Sequence, residues 1–155
     1  MSTCVALAMA AGLLTAADAP DEAVKKEKQR LQGTWVVESA ESEGEAVADL
    51  KGLRLTFSED NMVMVMDGKE VKGTYKVDLG KSPKRLDLIP GKEARGSPAM
   101  EAVYQLKGDE LRMCTGAGSR KLDESGKVVK DKKPQRPKHL DSKEGVLMIF
   151  KREKK

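Results

Sequence analysis

Hydrophobic and polar residues alternate along the middle of the chain, which is the pattern of half-buried β-strands. Two polar turns, Glu59-Asp60 and Asp67-Gly68, divide residues 53–79 into three such strands. Asp-Gly favours a two-residue type I′ hairpin, because both of its positions need positive φ. If both turns form hairpins, the three strands make a meander with one polar face toward solvent and one apolar face toward the core, here called the dry face. The predicted dry face carries Leu53, Leu55, Phe57, Met62, Met64, Met66, Val71 and Tyr75.

The alternation continues through the second half of the chain. Residues 86–88 form a short alternating run, residues 100–106 pair with residues 111–113 across a Gly-Asp turn, and residues 146–150 are nearly all apolar. With Trp35 opening the first strand, about eight short strands follow one another at hairpin spacing. This pattern predicts an all-β fold, a lipocalin-like antiparallel up-and-down barrel. Such a barrel either fills its interior with side chains or holds one small ligand.

The N-terminal residues follow a different pattern. Residues 1–17 have no charged side chain, are rich in Ala and Leu, and end in small residues, as is typical of a secretory signal peptide. A buried Ala-rich helix is the alternative. Residues 18–30 are rich in charge and predict a short, mostly solvated lead-in helix ahead of the barrel domain, residues 31–155. We expect an exported protein, periplasmic or extracellular, with no transmembrane segment once the signal is removed.

Positive charge is concentrated in one segment. The chain has 155 residues and a net charge of +4, and residues 120–138 contain eight Lys or Arg against three Asp or Glu. The domain is therefore a nearly neutral body with an inserted basic loop, residues 118–138. A solvated insertion is the simpler interpretation, and contact with an envelope polyanion or protein is the alternative. Few aromatic residues accompany the charge, so no specific nucleic-acid partner is expected. The predicted polyanion contacts are Arg120, Lys121, Lys130, Lys132 and Lys133.

The sequence contains no recognisable catalytic constellation. His139 is the only histidine, which excludes His relays and multi-histidine metal sites, and neither C-x-x-C nor H-E-x-x-H occurs. Cys114 is the only cysteine after residue 17 and is predicted to be a small packed hydrophobe instead of a nucleophile. Asp78, Asp87 and Glu101 fall on the polar face of the predicted strands. We therefore expect a non-enzymatic protein without cofactor or metal.

Gly33-Thr34-Trp35 resembles the G-x-W motif of lipocalins, in which the Trp closes one end of the barrel under a basic residue near the last strand. The resemblance implies that Trp35 pairs with Arg152 or Lys151. Longer colinear blocks resemble a small domain family abundant in planctomycete bacteria. They cover residues 31–37, 50–57, 73–75, 83–88, 104–114 and 150–153. That family is often exported, is regarded as lipocalin-like with no known activity, and has no established functional residues. Residues 118–133 look like an insertion relative to it.

Two hypotheses about function follow. The first is a non-catalytic binding module whose barrel mouth takes a small apolar or amphipathic ligand, because methionine and aromatic side chains can line an adaptable apolar cavity. Its predicted lining is Phe57, Met62, Met64, Tyr75, Tyr104 and Met113. The second is a solid-core scaffold or interaction domain that contacts the cell envelope through the basic loop. The same side chains can equally be ordinary core filler, which is the commoner role of methionine. A structure whose barrel interior is filled by side chains would refute the first hypothesis.

Overall fold

A computed structural model of the chain describes residues 19–94, 99–116, 121–122, 128–129 and 135–154. The predicted signal peptide, residues 1–17, lies outside these ranges, as does most of the basic loop. One helix, α1 (Ala19–Leu31), precedes the strands. The strands are β1 (Gly33–Ser42), β2 (Glu45–Ala46), β3 (Arg54–Ser58), β4 (Asn61–Met66), β5 (Lys69–Asp78), β6 (Lys84–Pro90), β7 (Met100–Lys107), β8 (Glu110–Gly116), β9 (Lys121–Leu122), β10 (Val128–Val129) and β11 (Gly145–Arg152). A 3₁₀ turn, Ala48–Leu50, lies between β2 and β3.

Eight of these strands close into an antiparallel barrel. The order is β1, β3, β4, β5, β6, β7, β8 and β11, and β11 pairs back with β1. The two short pieces β9 and β10 pair with each other, and β2 extends the sheet beside β1. Closure stabilises the sheet because the first and last strands satisfy each other's backbone groups. The predicted lipocalin-like barrel of about eight strands with a short N-terminal helix is confirmed.

The register of the first meander is the one that its two turns predict. Phe57 lies opposite Met62, and Met64 lies opposite Leu55 on one side and Val71 on the other. Asp67 and Gly68 have φ values of 50° and 73°, as a type I′ turn requires. Since directly opposed residues share a face, Leu55, Phe57, Met62, Met64, Val71 and Tyr75 all lie on the inner face of the barrel.

One continuous core fills the space between the strands and α1. Its largest fully buried side chains are Trp35, Tyr75, Tyr104, Phe57 and Phe150. The Phe57 and Tyr75 rings lie 4.7 Å apart at an interplanar angle of 60°, a tilted arrangement that aromatic pairs favour. Bulky side chains from several strands therefore pack together inside the barrel.

Helix α1 covers one end of the barrel. Most of its residues are exposed, as the sequence predicts, but Glu27 and Leu31 are buried. Residues four apart lie on the same face of a helix, so the two side chains enter the barrel end together. The helix is thus part of the domain as well as a lead-in to it.

Gly73 of β5 leaves no room for a side chain. A Cβ atom at this position would lie 2.1 Å from the Ile89 carbonyl oxygen of the paired strand β6. We expect Gly73→Ala to lower the free energy of unfolding by about 1–3 kcal/mol, because the paired backbones would have to shift. Urea denaturation measures the change. Gly80→Ala is the control, since its Cβ would meet only the Asp78 carboxylate at 3.3 Å. Equal losses in the two variants would contradict the prediction.

Candidate functional site: the two ends of the barrel

Trp35 and Arg152 meet at the barrel end that α1 covers. They are register partners on β1 and β11, and the Arg152 guanidinium carbon lies 4.1 Å from the centroid of the Trp35 ring. This distance is typical of a cation–π contact. The indole Nε1 of Trp35 donates to the Leu31 carbonyl oxygen at 2.7 Å. The structure thus brings together the pair that the lipocalin motif implied, whereas Lys151 bonds to Glu110.

Arg152 also caps the C-terminal end of α1. Its Nη2 donates to the Arg30 carbonyl oxygen at 2.7 Å, and its Nη1 donates to the Gln32 carbonyl oxygen. The last carbonyl groups of a helix have no partner within the helix, so these bonds satisfy acceptors that otherwise need water. Asp109, in the turn between β7 and β8, accepts from Arg152 Nε at 3.1 Å. One side chain therefore joins the helix, the last strand and a turn.

Glu27 is a buried carboxylate with three donors around it. It is 4% exposed and accepts hydrogen bonds from Lys84 Nζ at 2.8 Å, Tyr104 hydroxyl at 3.0 Å and Arg30 Nη1 at 3.0 Å. Burial alone would raise the pKa of Glu27, but the hydrogen bonds from Lys84 and Tyr104 and the charges of Lys84 and Arg30 outweigh it. The pKa of Glu27 is held below its ordinary value.

Tyr104 responds to the same contact in the opposite way. Burial and the neighbouring Glu27 charge raise the pKa of the Tyr104 hydroxyl far above its ordinary value. A carboxylate that resists protonation and a phenol that resists ionisation exchange no proton near neutral pH. The arrangement therefore holds α1 against β6 and β7.

Five of the six side chains predicted to line a ligand cavity belong to the core. These are Phe57, Met62, Tyr75, Tyr104 and Met113, each 1–2% exposed. They pack against one another and have no free surface for a ligand. They therefore do not line a cavity inside the barrel. Met64 differs, because it is only partly buried and lies toward the end of the barrel opposite α1.

The end opposite α1 keeps apolar side chains partly exposed. Inward-facing positions near the ends of four strands form what we call the methionine rim, made up of Met64, Met66, Val71, Met100 and Val146. Met66 is 39% exposed, the one large hydrophobic side chain this exposed among the residues that the structure describes. Alternation along β4 already places Met66 on the inner face, so the sequence carried this signal. Met64, Met100 and Val146 also pack against the core, so the rim offers their remaining exposed surface together with that of Met66 and Val71.

The outer face of the barrel is covered in part by residues 135–144. Arg136 Nη2 lies 2.6 Å from Asp87 Oδ1 and 3.9 Å from Glu101 Oε1, so two of the three predicted polar-face carboxylates anchor this segment. Cys114 Sγ donates to the Asp141 carbonyl oxygen at 3.3 Å. Burial raises the pKa of the Cys114 thiol, which keeps it protonated and poorly reactive. His139 is exposed and pairs with Glu144.

The predicted polyanion contacts lie almost entirely beyond the described ranges. Arg120, Lys130, Lys132 and Lys133 are outside them, and only the strand assignment of Lys121, at the start of β9, is described. Within the described part of the chain, no three His, Cys, Asp or Glu side chains come together as a metal-binding group. No helix in that part is long and apolar enough to cross a membrane.

Comparison with known proteins adds no relative. No protein-family model, curated protein or solved structure matches this chain. The class of the protein, a lipocalin-like β-barrel domain, therefore rests on its own strand order and closure. The resemblance to the planctomycete domain family stays a prediction.

Proposed function

We propose that the protein is an exported, non-catalytic binding domain that takes a small apolar or amphipathic ligand at the methionine rim. The observation that carries the proposal is the difference between the two barrel ends. One end is closed by α1, by the stacked Trp35 and Arg152, and by the bonds to Glu27. The other end presents partly exposed methionine and valine side chains. Export rests on the signal peptide predicted for residues 1–17.

The chemistry of the rim supports an apolar ligand of no fixed shape. Methionine is unbranched and polarisable, so its side chain adapts to different partners. Burial of about 200 Å² of apolar surface contributes roughly 5 kcal/mol before the costs of association. We therefore expect weak binding, with a dissociation constant no lower than about 0.2 mM. The filled core counts against the first hypothesis, a ligand lined by Phe57, Met62, Tyr75, Tyr104 and Met113. The ligand proposed here rests on the rim instead.

Methionine-methyl NMR tests the proposal with internal controls. The protein is labelled with ¹³C at the methionine methyl groups and titrated with n-octyl glucoside, a neutral amphiphile, below its critical micelle concentration. We expect saturable shifts at the rim methionines Met64, Met66 and Met100, and much smaller ones at Met62, Met113 and Met148 of the core. Shifts of equal size in both groups, or none at all, would contradict a rim site.

A matched pair of variants refines the test. Met66→Gln places a polar side chain on the rim. It is expected to lower the affinity for n-octyl glucoside about fivefold or more, since part of the apolar contact is lost. Val63→Thr changes the same strand on its outer face and is expected to leave the affinity unchanged. Equal weakening by both variants would show that the probe senses general stability and not the rim.

A further inference from the structure

A surface groove of about 520 Å³ lies between the β5–β6 connection and the C-terminal half of β7. Leu79, Pro83 and Leu140 contribute apolar surface to it. Its charged lining consists of three lysines, Lys81, Lys84 and Lys107, and we call it the basic groove. It lies near the α1 end of the barrel, since Lys84 and Tyr104 line it and both bond to Glu27 of the helix. It is therefore separate from the methionine rim.

Lys84 is held in place for an incoming group. Its Nζ donates one hydrogen bond to Glu27 Oε1 at 2.8 Å, and its side chain remains 40% exposed. An ammonium group has three donors, of which the hydrogen bond to Glu27 uses one. Because the Glu27 carboxylate is buried and fixed by Tyr104 and Arg30, the lysine is oriented before any ligand arrives.

Lys81 and Lys107 add two further positive charges around the same apolar surface. Both are exposed, one following β5 and the other at the end of β7. The positive charge of Lys84 is matched by Glu27, but no carboxylate belongs to the lining as the structure describes it. The groove therefore has a net positive potential over an apolar floor, and an anion with an apolar body complements both features.

We propose that the basic groove binds a small organic carboxylate with an apolar body. The carboxylate accepts hydrogen bonds from the lysine ammonium groups, and the body packs on Leu79, Pro83 and Leu140. An inorganic anion would leave the apolar surface of Leu79, Pro83 and Leu140 exposed to water. A neutral or cationic amphiphile would leave the lysine charges without a partner. The binding is expected to weaken as salt is added, because exposed charges are screened.

Three probes with the same apolar body and different charge test the proposal: 4-phenylbutyrate, 4-phenylbutanol and 4-phenylbutylamine. Backbone amide shifts of Leu79, Gln105 and Lys107 report on the groove, and the methionine methyl groups report on the rim in the same sample. We expect saturable groove shifts with 4-phenylbutyrate, affinity at least fivefold weaker for the alcohol, and no saturation with the amine. Equal affinity for acid and alcohol, or acid-induced shifts confined to the rim, would overturn the proposal.

A charge-matched pair of double variants locates the site. Lys81→Gln/Lys107→Gln removes two groove charges and leaves the Lys84–Glu27 bond intact, and we expect about tenfold weaker binding of 4-phenylbutyrate. Lys72→Gln/Lys76→Gln removes the same charge from β5 outside the groove and is expected to bind as the parent does. Equal loss in both variants would mean that net charge alone attracts the probe, which would refute a groove site. Because the methionine methyl shifts report on the rim separately, failure of the groove proposal can be distinguished from failure of the rim proposal.

Discussion

Replacing Arg152 by alanine is expected to lower the free energy of unfolding by about 3–4 kcal/mol. The substitution removes the contact with the Trp35 ring, worth roughly 0.5–2 kcal/mol, and the bonds to the Arg30 and Gln32 carbonyl oxygens. Hydrogen bonds from a charged donor contribute about 1.5–3 kcal/mol each when partly buried, and only 26% of this side chain is exposed. These contributions overlap, so the total is smaller than their sum.

Trp35 fluorescence and urea denaturation together measure this effect. Trp35 is the only tryptophan, so its emission reports directly on the closed end, and we expect a red shift in Arg152→Ala. Arg152→Lys is expected to recover less than half of the loss, because an ammonium group cannot present the planar guanidinium fork. Lys151→Ala, next to it in sequence, removes only an exposed pair with Glu110 and should change stability far less than Arg152→Ala does. Similar losses in Arg152→Ala and Lys151→Ala, with no red shift, would contradict the assigned role.

Replacing Glu27 by alanine is the second large expected loss, about 2–4 kcal/mol. It leaves the buried Tyr104 hydroxyl without its acceptor and removes the partner that holds Lys84 and Arg30. Glu27→Gln is expected to cost about half as much, since the amide oxygen still accepts from Tyr104. Glu22→Ala, an exposed position of the same helix, is the control and should change stability by less than about 0.5 kcal/mol. Urea denaturation of the three variants in one buffer measures their free energies of unfolding. Equal losses in Glu27→Ala and Glu22→Ala would contradict the prediction.

The Glu27 contribution should also depend on pH in a definite direction. The pKa of Glu27 in the folded protein lies below the ordinary value of 4.5. Its stabilising effect is therefore complete above pH 4.5 and is lost as the pH falls through the lower folded value. The stability difference between the parent and Glu27→Gln should shrink in that acid range. A difference that stays constant as the carboxyl group titrates would refute the assigned ion pairs.

Strands and turns were predictable because their signals are local. The Asp67-Gly68 turn fixes the pairing of β4 with β5 through its positive φ values, and period-two alternation then assigns every neighbour to a face. The predicted pairs Phe57–Met62 and Met64–Val71 needed no information from distant residues. The pairing of Trp35 with Arg152 was implied by the lipocalin-like motif and not by spacing.

The candidate site was predictable only in part. Alternation assigned Phe57, Met62 and Tyr104 to the inner face, but could not tell whether that face borders a cavity or a packed core. Glu27 was not singled out, although Val24 and Leu31 are seven residues apart with Glu27 between them on the same helix face. An acidic residue within such a stripe is a signal for a buried, paired carboxylate.

By itself the sequence determined the all-β class, the hairpin registers and the inner and outer faces, since each depends on residues within one or two turns of one another. The tertiary structure decided how the interior is filled, which barrel end is closed, and which charged groups meet. Those features depend on side chains that are far apart in sequence, such as Glu27 with Tyr104 or Trp35 with Arg152. Whether such volumes and charges complement one another is settled only when closure of the barrel brings them into contact.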